Sequence, residues 1–209
     1  MIKKILDIIG GKSKPTEAEQ HVLEQELEKL LTPQQPDLRI MGLFSDVSDD
    51  KIAELVHAMI YMDELNSMRQ TDLPIEFYIS TYGGSADDMF AMYDVMRVIR
   101  ERTEIHTVGL GKVMSAGVLL LASGTKGKRC IGKNCRVMVH SVIGGSSGPL
   151  HNLMNEMEAI EQIQKMYSDA LVEETNMTKK DMKKLLERKV NVYLTAEEAV
   201  ELGIADVII

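Results

Sequence analysis

Three stretches of the chain pair glycine with a polar residue where a strand pattern gives way to something else, and chemistry can reside there. The first is Tyr82-Gly83-Gly84-Ser85, directly after the apolar run IEFYIS. Paired glycines let the backbone turn tightly and leave amide N–H groups facing outward at a helix N-terminus, where they can stabilise a developing negative charge. The second is GKVMSAG, residues 111–117, in which Ser115 opens a helical pattern directly after a strand. A serine at such a junction is held at a sharp turn with neighbouring amides aimed at the same point, although the GxSxG spacing that often marks a nucleophile elbow is absent. The third is Arg136-Val137-Met138-Val139-His140, an apolar strand that ends on histidine and is followed by the glycine-rich GGSSG. Taken singly, each has an ordinary role: a tight turn, a helix cap, a strand-end surface residue.

The elements that must position these residues alternate between strand and helix from residue 38 onward, the order expected of an α/β domain with helical crossovers. Strands are expected at LRIMGLF, IEFYIS, EIHTVGL, RCIGKNCRVMVH and IADVII. Between the first two, Ser48 can cap a helix whose inner face carries Ile52, Leu55, Val56, Met59 and Ile60. A second helix follows GGSADD with Met89, Met92, Tyr93, Met96 and Ile99, and a third, SAGVLLLAS, is apolar almost all round and so must be buried. From Pro149 to Glu174 a long helix places Leu153, Met157, Ile160, Gln164, Tyr167 and Leu171 along one seam, and TAEE at Thr195–Glu198 is a capping box with Gly203 past the helix end. TPQQP, residues 32–36, marks a boundary. Residues 1–36 form an appendage whose Leu23, Leu27, Leu30 and Leu31 predict an amphipathic helix, and residues 37–209 form the main domain.

Composition limits the partners. The chain has 209 residues, 44% hydrophobic and 27% charged, with a net charge of −8. That balance fits an ordinary globular protein and argues against nucleic acid or an anionic membrane surface as partner. Two cysteines, Cys130 and Cys135, cannot build the disulfide framework of a small secreted scaffold, so a reducing cytoplasm is expected. Asp7 interrupts the short apolar run near the N-terminus, which does not read as a signal peptide, and no stretch approaches the ~20 apolar residues of a membrane span. The early GGKS has Leu6 where a phosphate-binding loop needs its first glycine, so no ATP site is expected in this chain.

Taken together, in order and spacing, YISTYGG, GKVMSAGVLLLASGTKGKR, NCRVMVHSVIGGSSG and YLTAEEAVELGIAD resemble the blocks of the proteolytic subunit of Clp protease, from about Leu38 to the C-terminus. The resemblance implies a Clp-protease/crotonase-like α/β spiral of strand-strand-helix units with a long ring-stacking helix. It implies a serine endopeptidase in which Ser115 is the nucleophile, His140 its general base, and the backbone N–H groups of Gly84 and Ala116 the oxyanion hole. It also implies heptameric rings stacked in pairs, unfolded polypeptides as substrates, and a separate hexameric AAA+ unfoldase that uses the ATP. The chain itself is expected to need no cofactor or metal.

Two departures from the family pattern stand out. The N-terminal segment has no obvious counterpart in the family, and Glu76 stands where better-known members carry an aromatic of a hydrophobic docking pocket. In the catalytic set, Asn191 falls where the third member, usually aspartate, is expected. An asparagine oxygen can accept from histidine Nδ1–H, but it brings no charge to the imidazolium. The chief alternative is therefore a weakly active or non-catalytic ring subunit of a mixed complex. A signal-peptide peptidase or an acyl-CoA enzyme of the same superfamily fits less well, because no membrane segment is present and Ser115 with His140 is a hydrolase pair.

Overall fold

Each of the five strand readings contains a strand in the computed structural model of the chain, which describes His21, residues 38–186 and residues 191–209. The chain divides into two units, Met1–Leu38 and Arg39–Ile209. The leucine-striped helix expected near the N-terminus lies outside the described residues. The second unit runs β1 (Ile40–Leu43), α1 (Asp49–Arg69), β2 (Ile75–Thr81), α2 (Ala86–Ile99), β3 (Ile105–Met114), α3 (Ala116–Ala122), β4 (Arg129–Ile131), β5 (Arg136–Val139), α4 (Leu150–Glu174), α5 (Lys179–Leu186), β6 (Val192–Leu194), α6 (Ala196–Glu201) and β7 (Val207–Ile208). It is an α/β fold built on a parallel sheet, as expected. β1, β2, β3, β4 and β7 lie side by side in that order, β5 joins β3 in parallel, and β6 closes antiparallel on β5.

Strand β2 alternates strictly, with Ile75, Phe77, Ile79 and Thr81 buried and Glu76, Tyr78 and Ser80 half-buried on the opposite face. That period of two sets the helix-covered face. All seven residues of α3 are buried, which its all-round apolar sequence requires, and it packs on β2, β3, β5, α2 and α4. RCIGKNCRVMVH is two strands rather than one: β4 pairs with Thr107–Gly109 of β3, while β5 pairs with Lys112–Met114. β3 runs four residues beyond the expected EIHTVGL, through Lys112 and Val113 to Met114, because its far end has β5 as a neighbour.

Helix ends follow the sequence in part. Thr195 and Glu198 form the expected capping box, whereas Ser48 occupies the N-cap of α1 without a side-chain capping bond. Ile60 is 44% exposed, so the buried face of α1 is narrower than its apolar pattern. In α4 the seam holds only at its C-terminal half, where Tyr167, Ala170, Leu171 and Glu174 are buried. Leu150, Met154 and Met157 at the other end are exposed. α5 packs on the core through the buried Met182 and the half-buried Leu185 and Leu186, with its lysines on the other side. Among the described residues no helix is long and apolar enough to cross a membrane.

The buried end of α4 is fixed by charge. Arg100, the C-cap of α2, grips the Glu174 carboxylate with both terminal nitrogens, at 2.6 and 2.9 Å, and the Tyr93 hydroxyl donates to it at 3.0 Å. Lys126 adds a second cation at 3.2 Å. The Glu174 carbonyl accepts from Arg129, which is itself forked onto Asp206 at 2.5 and 2.8 Å. Burial pushes the Glu174 carboxyl up, but the Arg100 hydrogen bonds and charge, with Lys126 and Tyr93, more than offset it and hold it below the ordinary value of 4.5. A carboxylate whose folded pKa is depressed adds stability that is present above its unfolded value and lost as pH falls through the folded one. Glu174→Gln should therefore destabilise the domain by about 2–3 kcal/mol at neutral pH. In urea denaturation the gap to the parent should narrow as pH drops below 4.5; a gap independent of pH would mean that packing, not charge, holds this end of α4.

Candidate active site

The split pairing of β3 brings Ser115 and His140 together. Met114 is in register with Met138, and one residue further the Ser115 N–H donates to the Met138 carbonyl at 2.8 Å. Two residues past Met138 the chain reaches His140, whose Nε2 lies 2.8 Å from Ser115 Oγ. Both side chains are partly buried. With Nε2 as acceptor, the serine hydroxyl donates and is set up to lose its proton.

Ser115 is not a helix cap. It stands at the N-cap position of α3 but makes no side-chain capping bond, and its backbone lies at φ 54, ψ −122. A positive φ costs a residue with a Cβ roughly 1–3 kcal/mol and persists only where the surroundings impose it. Three hydrogen bonds do so here: the N–H to Met138, and the carbonyl accepting from the Val118 N–H at 2.9 Å and from the Tyr167 hydroxyl at 3.0 Å. Burial pushes the Tyr167 phenol far above its ordinary range, so it remains a donor.

The glycine pair completes the elbow. A Cβ on Gly83 would come within 2.6 Å of Ser115 Cβ, and one on Gly84 within 2.1 Å of the Val47 carbonyl oxygen; φ is +103 and +151 respectively. Only glycine fits either position. Val47 clamps the turn from both sides, its N–H donating to the Gly83 carbonyl at 2.8 Å and its carbonyl accepting from Ser85 N–H at 2.9 Å. Between these bonds the Gly84 N–H, like that of Ala116 at the first turn of α3, has no acceptor among the described residues. Gly84, Ser115, Ala116 and His140 all line one cleft of about 360 Å³. Its remaining wall is largely apolar, with Met89, Val142, Ile143 and Ile163.

Asn191 is not part of the cleft. β5 and β6 pair Val139 with Val192, so the next position outward sets Asn191 opposite His140 along the backbone. Its side chain is exposed, does not line the cleft and makes no hydrogen bond with His140. Among the described residues, His140 Nδ1 has no partner.

A sequence profile described as Clp protease matches residues 26–209. The chain belongs to the Clp protease family. Relatives of this Clp family member include the ATP-dependent Clp protease proteolytic subunit 2 of Corynebacterium jeikeium (strain K411), 33% identical over 169 residues, 80% of this chain and 77% of that protein. Subunit 3 of Synechococcus sp. (strain CC9902) is 33% identical over 172 residues, 82% of each chain, and subunit 2 of Prochlorococcus marinus (strain NATL2A) matches equally well.

Two contributors to the site had no local signal in the sequence. Tyr167 reads only as a seam residue of α4 and Val47 belongs to none of the motifs, yet one pins the Ser115 carbonyl and the other the glycine turn. The loop after His140 is likewise tied to α4, where Gln164 Oε1 accepts from the Val142 N–H at 2.6 Å. Tyr167→Phe keeps the ring and loses only the bond to the elbow. It should cost about 1 kcal/mol of stability and lower kcat several-fold, with roughly unchanged KM. A proportional change in both kinetic constants, or none, would show that Tyr167 merely fills space.

Proposed function

We propose that this Clp family member is a serine endopeptidase, the proteolytic subunit of an ATP-dependent compartmentalised protease that cuts unfolded polypeptides to short peptides. The observation that carries this reading is the 2.8 Å contact between His140 Nε2 and Ser115 Oγ at a strained strand-to-helix elbow beside two unused amides. His140 takes the hydroxyl proton as Ser115 Oγ attacks the peptide carbonyl, and the N–H groups of Gly84 and Ala116 hold the oxyanion. As the tetrahedral intermediate collapses, the C–N bond breaks and His140 gives the proton to the leaving amine. A water, deprotonated by the same histidine, then releases the acyl group from Ser115. No step needs a cofactor or metal in this chain. The relatives are named as ATP-dependent, and in this reading the ATP is used by a separate hexameric AAA+ unfoldase, as the resemblance in sequence implies.

Two surfaces support an assembly of heptameric rings, single or stacked in pairs, with the strand-strand-helix spiral of the family. Parallel sheets are ordinarily covered on both faces, yet here Ile40 and Val207 remain exposed. The exposed Leu150, Met154 and Met157 give α4 an unpartnered stripe suited to contact between rings. A cytoplasmic location, with neither nucleic acid nor membrane as partner, goes with the acidic composition.

A fluorophosphonate probe should label Ser115 stoichiometrically, and Ser115→Ala should lose both labelling and peptide cleavage while its native mass spectrum still reports the parent's oligomer. An assembled parent that takes no label would overturn the reading.

One observation favours the second reading, a weakly active or non-catalytic subunit of a mixed ring: among the described residues, His140 Nδ1 lacks the carboxylate that normally orients and charges such a histidine. Asn191, opposite His140 by strand register, is proposed to supply that contact through its amide oxygen when substrate or a neighbouring subunit turns the side chain toward the ring. Asn191→Ala should then lower kcat/KM on a small fluorogenic peptide by about tenfold, and Asn191→Asp should raise it. A rate unaffected by the alanine removes Asn191 from the mechanism.

A further inference from the structure

A second groove, of about 550 Å³, adjoins the catalytic cleft and shares Tyr82 with it as a common wall. Lys112, Met114, Arg136, Met138 and Tyr193 line its other sides. Strand register puts Lys112 of β3 directly beside Arg136 of β5, and Met114 beside Met138. Neighbouring strands are about 4.8 Å apart, so the two cations are held close on one face, where like charges repel. Neither has a carboxylate partner among the described residues, although the chain carries 32 acidic residues against 24 basic ones. Each lies instead over a tyrosine ring, Lys112 at 4.7 Å from the centre of Tyr82 and Arg136 at 4.8 Å from that of Tyr193. The rings hold the side chains in place without neutralising them.

We propose that this groove is a substrate subsite that binds a carboxylate, Lys112 and Arg136 together recognising either an acidic side chain of the bound polypeptide or its free C-terminus. The inference rests on the peptidase reading of the adjacent cleft. Arg136, Met138 and His140 alternate along one strand, so they face the same way, and at about 3.3 Å per residue Arg136 stands roughly 13 Å from the catalytic histidine. An extended peptide covers that span in about four residues. The recognised carboxylate therefore belongs three to four residues from the bond that is cut. Its role is selection: an apolar cleft beside Ser115 receives the residue at the scissile bond, and the paired cations weigh a second position further along. Arginine supplies a planar fork that takes both carboxylate oxygens, and lysine a point charge at its side.

The test uses the assembled full-length protein and fluorogenic peptides of one apolar sequence with an amidated C-terminus, varied three and four residues from the cleaved bond on each side. One arm places glutamate there, another glutamine, and a third ends the peptide there in a free carboxylate. The parent should cleave at least one carboxylate form with kcat/KM on the order of fivefold above its neutral counterpart at low salt, mostly through KM. Which arm responds tells the side chain from the terminus. Lys112→Gln and Arg136→Gln should each bring that ratio toward one, Arg136→Lys should recover part of it, and Lys112→Glu should turn the preference toward a lysine-bearing peptide. In parallel, anisotropy of the same labelled peptides on the Ser115→Ala protein reads binding without cleavage. Carboxylate-dependent binding with no turnover in the parent would sink the peptidase reading and leave the subsite standing. Turnover with equal rates on acidic, neutral and amidated peptides would overturn the subsite alone. So would glutamine variants that keep the parent's peptide ratio but fall apart in native mass spectrometry, since the cations would then serve contact between copies.

Discussion

Strand β3 has to serve two neighbours in turn, and the site exists because it does. Its first half is paired with β4 and its last three residues with β5, so the strand is longer than the run of apolar residues that announces it. The switch lets β5 run alongside the end of β3, which sets the Ser115 N–H against the Met138 carbonyl and brings His140 Nε2 to 2.8 Å from Ser115 Oγ. Had RCIGKNCRVMVH continued along β3 in the register of β4, His140 would fall level with Val118, two residues further from Ser115 than the register of β5 puts it. The pair is thus a product of sheet topology, and the positive φ at Ser115 is the local strain that this topology imposes.

The strain is held from several directions by backbone more than by side chains. Val47 clamps the glycine turn, Met138 and Val118 take the two backbone groups of Ser115, and two side chains add to them: the Thr81 hydroxyl accepts from the Gly83 N–H at 3.0 Å, and Tyr167 reaches in from a helix some fifty residues later. Such preorganisation is what electrostatic catalysis requires, since donors already in place need no reorganisation as charge develops. Gly84 and Ala116 keep unused N–H groups for a different reason each. One sits between the two bonds of a bridge, and the other lies in the first turn of a helix, which has no internal acceptor to offer.

The same helix that supplies Tyr167 is anchored at one end only. Glu174, with Arg100, Tyr93, Lys126 and Arg129, fixes the last turn of α4 in the core, while the first turns carry exposed Leu150, Met154 and Met157. A helix with this asymmetry holds the elbow at one end and carries an exposed apolar stripe at the other. Both ends belong to one helix, so changes at the exposed end can reach Ser115 through the Tyr167 hydroxyl.

By itself the sequence determined the local elements and the chemistry they can carry. Alternation at IEFYIS, the all-round apolar helix after Ser115, the capping box at Thr195 and the two glycines at 83 and 84 are short-range patterns whose meaning depends on neighbours a few residues away. The pairing of Ser115 with His140 was legible only from the order and spacing of several blocks together, never from either residue alone. Tertiary structure decided the rest, because long-range register leaves no trace in a local window. It split one apolar run into β4 and β5, exposed half the seam of α4 and recruited Val47 and Tyr167 to the elbow. It also set Asn191 opposite His140 by register while leaving its amide in solvent, an outcome that depends on how far β6 follows β5 and on nothing in the residue itself.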